Sequence, residues 1–71
     1  MQAITVNDIK DLLGKQITLT QRLQGFTFEH SGEVVGVLRP VIGSGGEFIL
    51  DEENGDTRFY SLHEVAILRI E

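Results

Sequence analysis

The chain has 71 residues and no cysteine, with 6 Lys and Arg against 11 Asp and Glu for a formal net charge of -5. That length holds one domain, residues 1–71, with a modest core. The missing cysteines exclude disulfides, thiolate zinc sites and cysteine nucleophiles, and the acidic balance opposes long-range attraction to DNA or RNA. Hydrophobic residues make up 41% of the chain, enough for a folded core, yet no apolar run approaches the length of a membrane span. Met1–Thr5 has neither a basic region nor an apolar segment, so a cytoplasmic protein without a secretory signal is expected.

In chain order, Asp8–Leu13 predicts a short α-helix, because Ile9, Leu12 and Leu13 recur at spacings of three and four. Thr5 with Asp8, or Asn7, offers its N-terminal cap, and Gly14 its stop. From Lys15 the period changes to two. Ile17, Leu19 and Leu23 alternate with Thr18, Thr20 and Arg22 as on a half-buried strand. Gln24-Gly25 predicts a turn. Phe26 and Phe28 then share a face, and Ser31-Gly32 is read as a break. Glu33–Val41 is the most apolar strand, with Gly36 as a bend point and Pro40 near its end. Gly43-Ser44-Gly45-Gly46 is a loop without the Lys-Ser/Thr or helix start that phosphate binding needs. Glu47–Glu52 and Thr57–Ser61 flank Asn54-Gly55, a type I′ hairpin signal. Leu62-His63-Glu64 reads as a helical turn and Val65–Ile70 as the last strand. The expected fold is mainly β: a short N-terminal α-helix, then a five-stranded antiparallel barrel.

Three segments carry a likeness to a known family: Ile9–Leu19, Gly32–Leu38, and Tyr60–Ile70. In their order of helix, bent strand, hairpin, helical turn and last strand, they resemble the SH3-like small barrels, and among them the Sm-like (Lsm/Hfq) arrangement. The resemblance implies an N-terminal helix stacked on the barrel and last strands that pair between subunits. It implies no RNA-binding residue here. The family's Asp and Asn in the loop after the bent strand are absent from Val41–Gly46, and His63 is followed by Glu64 where a basic position is usual.

The candidate sites are few. Asp51, Glu52, Glu53 and Asp56 place four acids around one turn, without calcium-loop spacing, and suit a basic protein partner. Phe59 and Tyr60 point opposite ways on a strand, so one of them faces outward; Tyr60 is taken as the partner-facing residue. In Val65–Ile70, residues Val65, Ile67 and Arg69 form a candidate edge for a homo-oligomer. His30 and His63 belong to no metal motif, and no Ser-His-Asp arrangement stands out. The six basic residues, Lys10, Lys15, Arg22, Arg39, Arg58 and Arg69, are scattered. These features predict a non-enzymatic binding or regulatory module that works through protein–protein contacts. It would need no metal or other cofactor, and no membrane. Sm-like RNA binding is the alternative.

Overall fold

The computed structural model describes residues 3–38 and 46–71. Pro40 and most of Gly43–Gly46 lie outside them. The strands are β1 (Gln16–Leu23), β2 (Phe26–Leu38), β3 (Glu47–Glu52), β4 (Thr57–Ser61) and β5 (Val65–Ile70). They form one antiparallel sheet in the order β4-β3-β2-β1-β5.

The expected barrel is not closed. β4 and β5 are the two edges of the sheet and share no ladder. Only Leu62–Glu64, a 3-10 turn, separates the end of β4 from the start of β5. Four residue steps reach at most about 14 Å, so the sheet curls until its edges come near each other without a hydrogen-bonded seam.

The N-terminal α-helix is also corrected, to a four-residue 3-10 turn over Ile9–Leu12. Asp8 is its cap and accepts a hydrogen bond from the Lys10 N–H at 3.1 Å. A 3-10 turn stacks residues three apart. Ile9 and Leu12 are therefore buried, while Leu13 is left half exposed. Gly14, at φ 80°, ends the turn and its N–H donates to the Val34 carbonyl at 2.8 Å.

Two irregularities set which residues face inward. β2 runs unbroken through Ser31-Gly32, and its register with β3 shifts between Val34 and Gly36, beside the expected bend. β5 shifts against β1 at Leu68: Leu19 faces Ile67, but Thr18 faces Arg69. The extra residue lets both Ile67 and Ile70 turn toward the core, which strict alternation would forbid. The core lies on the inner face, where Ile17, Leu19, Val34, Phe48 and Leu50 are fully buried.

The hairpin turns exchange their expected roles. Gln24 (φ 51°) and Gly25 (φ 84°) are both left-handed and close the two-residue β1–β2 turn between Leu23 and Phe26. At the β3–β4 turn only Gly55 is left-handed, at φ 95°. Asn54 instead uses its side chain: its Oδ1 accepts from the Asp56 N–H at 3.0 Å, in an Asx turn.

Candidate functional site

Alternation along β3 puts Phe48, Leu50 and Glu52 on the inner face, with Glu47, Ile49 and Asp51 on the other. Glu52 is thus carried into the protein interior, where it is 7% exposed. A buried carboxylate is stable only when its oxygens are satisfied. Both are. His30 Nδ1 lies 2.8 Å from Oε1, the Tyr60 hydroxyl donates to Oε2 at 3.0 Å, and Arg58 Nε approaches Oε2 to 3.2 Å. Because the carboxylate accepts, the His30 ring proton sits on Nδ1.

The cluster draws on three strands. β2 supplies His30, β3 Glu52, and β4 both Arg58 and Tyr60. The Tyr60 ring packs on both His30 and Phe48, with centroids 5.4 and 5.7 Å away. No buried side-chain polar atom among the described residues lacks a partner.

Burial pushes the Tyr60 hydroxyl up to about 12, reinforced by its hydrogen bond to Glu52 and by the Glu52 charge. The folded state holds this proton more tightly than the unfolded state, so the stabilisation is complete below pH about 10 and is lost as pH rises toward about 12. Two pH units correspond to at most about 3 kcal/mol. The chain has a single tyrosine and no tryptophan, so phenolate absorbance reports this one group. We expect its titration well above that of free tyrosine, coinciding with alkaline unfolding. A midpoint near 10 in the folded protein would contradict the buried hydrogen bond.

The structure separates the residues singled out in the sequence. Asp51, Glu53 and Asp56 are exposed around the β3–β4 turn, whereas Glu52 is interior. Tyr60 is corrected as a partner-facing residue: it is 4% exposed, and the outward member of the pair is Phe59, at 63%. On β5, Arg69 is exposed, Val65 is half-buried, and Ile67 is corrected as an edge residue because it is in the core. The Ile4 N–H also donates to the Ile67 carbonyl at 2.7 Å, which lays the N-terminal segment against β5. His63 is exposed beside Glu64, at 3.9 Å. Among the described residues, no three His, Asp or Glu side chains group as metal ligands, and no helix is long and apolar enough to cross a membrane.

Sequence reasoning missed the exposed apolar ledge at the β1–β2 hairpin. Leu23 faces Phe26, and Gln21 faces Phe28, on the same face as the buried Leu19. The ledge continues the core face past its covered part, so Phe26 is 69% and Phe28 47% exposed. β3 meets β2 only from Gly32 onward, and β5 meets β1 no further than Gln21. The hairpin tip therefore projects as a two-stranded ribbon. The available signal was parity: Phe26 and Phe28 sit where β2 has run beyond its neighbours.

Comparison of the chain with protein-family models, with curated proteins and with solved structures found no match in any of the three.

Proposed function

We propose that this protein is a non-enzymatic binding or regulatory module that acts through protein–protein contacts. The observation that carries the reading is the projecting hairpin with Leu23, Phe26 and Phe28 exposed together. Large aromatic side chains left in water on a small domain are costly unless something covers them, and aromatic anchors dominate protein interfaces. Phe59 adds a second exposed aromatic, on the outer face of β4. The polar cluster around Glu52 supports a structural role, because both carboxylate oxygens are taken up by His30, Tyr60 and Arg58.

The strand order and the long, bent β2 support kinship with the SH3-like barrels in their Sm-like arrangement. Self-association belongs to the same reading, at the outer edges β4 and β5. RNA binding is the weaker reading. Three of the six basic residues lie against acids, Arg58 against Glu52 and Asp56, Arg69 against Glu71, and Lys10 against Asp8, and the net charge of -5 opposes a phosphate backbone.

The test is a Phe26→Ser, Phe28→Ser double variant. Both side chains are largely outside the core, so we expect its melting temperature to stay close to that of the wild type. Crosslinked capture of specific proteins from native extract should be lost. Unchanged capture would overturn the reading. Micromolar binding of single-stranded RNA at physiological salt, measured by fluorescence anisotropy, would replace it with the RNA reading. Light scattering on the same samples reads self-association from the mass.

A further inference from the structure

From this module reading, we propose that the free edge of β2 at Thr27–Glu29 binds an extended partner strand whose side chains alternate apolar and basic. The direction of the backbone groups decides what this edge offers. In a two-residue hairpin, the residues flanking the turn bond to each other, here Leu23 and Phe26. Alternation then turns the N–H and C=O of Phe26, Phe28 and His30 toward β1, and those of Thr27, Glu29 and Ser31 away from it. The Ser31 carbonyl confirms the phase, since it accepts from the Glu53 N–H across the β2–β3 gap at 3.2 Å.

Past that contact β3 has turned away. Among the described residues, no strand pairs with Thr27 or Glu29 on this side. Their backbone donors and acceptors form a short open edge, a ready template for an added strand.

The surroundings specify the occupant. Beside the edge lies an open cleft lined by Glu29, His30, Ser31, Glu52, Glu53 and Asn54. Glu29 and Glu53 are exposed. A strand laid along the edge would set alternate side chains on the inner face, against Phe26 and Phe28. The intervening ones would fall on the outer face with Thr27 and Glu29, near the exposed carboxylates of Glu29 and Glu53. Apolar residues fit the first set and lysine or arginine the second.

A second copy fits poorly. Pairing about a two-fold axis would bring Glu29 of each copy onto the same short ladder, between two chains of charge -5 each, and like charges across a ladder repel.

The probe is a capped synthetic peptide alternating lysine and valine, titrated into isotopically labelled full chain and followed by amide NMR and hydrogen exchange. We expect the Thr27 and Glu29 amides to shift, and their exchange to slow at least about tenfold as they gain bonded partners. A peptide N-methylated on the amides that face the edge keeps every charge and side chain. It should bind at least about tenfold more weakly, as should one with glutamate in place of lysine. Thr27→Pro removes one outward N–H without touching the ladder to β1, and should weaken the peptide while preserving the melt.

Equal binding of the N-methylated peptide would reduce the contact to charge alone and overturn the proposal. So would unperturbed Thr27 and Glu29 amides at saturating peptide. If those amides are silent yet the Phe26, Phe28 double variant still loses its captured proteins, the strand-edge assignment fails and the module reading stands. If that capture is also unchanged, both fail.

Discussion

Gly32→Ala is expected to destabilise the protein by about 3 kcal/mol or more, the upper end for a side chain forced into a filled site. A β-carbon at this position would lie 2.8 Å from both the Asp51 carbonyl carbon and the Glu52 Cα, and closer still to the Asp51 carbonyl oxygen. All three are backbone atoms, so no rotamer change relieves the clash; β2 and β3 must move apart where Gly32 faces Glu52. The displaced pair carries Glu52, so the polar cluster loosens with it. Small domains have only a few kcal/mol in reserve, and the variant is expected to be largely unfolded at room temperature. Gly36→Ala is the matched comparison. There the nearest atom is the Ile49 Cδ1 at 3.0 Å, the end of a flexible side chain, and a loss under about 1.5 kcal/mol is expected. Urea denaturation followed by far-ultraviolet dichroism measures both. A Gly32→Ala midpoint no lower than that of Gly36→Ala would rule out the close backbone crossing.

These two glycines also mark the limit of what the sequence makes legible. Gly36 sits in an apolar run, where a glycine without a side chain to pack signals a bend, and the register shift lies beside it. Gly32 sits among polar residues, Ser31 and Glu33, where a glycine reads as a turn. Its real cause is a non-local backbone contact, invisible to local pattern. The same distinction runs through the chain. Four of the five strands follow from period-two alternation and their turn residues, and Leu62–Glu64 from its brief break; β2 reads in two pieces, because Ser31-Gly32 looks like a break where the strand in fact continues. Barrel closure depends on a seam between distant edges, which alternation does not encode. The N-terminal segment reads as an α-helix because Leu13 completes a helical spacing in sequence, yet Leu13 faces solvent in the 3-10 turn that forms. At the candidate site, four acids around one turn read as a surface patch. The parity of Glu52 with Phe48 and Leu50 would have removed it from that patch, since an acid on the buried phase of a strand needs partners inside.

Glu52→Gln is expected to cost about 2–4 kcal/mol, against less than about 0.5 kcal/mol for Glu53→Gln. The two residues are neighbours of identical chemistry, and only their burial differs. Glu53 is exposed and accepts one long hydrogen bond from Gln16 Nε2, at 3.3 Å. Water replaces that bond easily. Glu52 accepts from His30, from Tyr60 and from Arg58 at once. A glutamine there keeps one acceptor oxygen and turns an NH2 group on the remaining donors. Arg58 is largely exposed and already reaches Asp56 at 3.4 Å, so it is re-satisfied by Asp56 and solvent. His30 and Tyr60 are packed against each other with less access to water. The one remaining oxygen serves only one of them, so the other must turn its proton away, His30 by changing tautomer, or lose its partner, and that mismatch carries most of the cost. Tyr60→Phe removes one of those donors, so adding it to Glu52→Gln should cost less than the two single losses combined. That non-additivity, read from a double-mutant cycle in urea, is what identifies the cluster as one unit. Strict additivity, or a Glu52→Gln loss as small as that of Glu53→Gln, would break the assignment. The consequence for function is direct. A variant neutralising both glutamates confounds partner binding with unfolding, so any contribution of the acidic turn to a basic partner is to be read from Asp51, Glu53 and Asp56, whose side chains reach solvent without supporting the core.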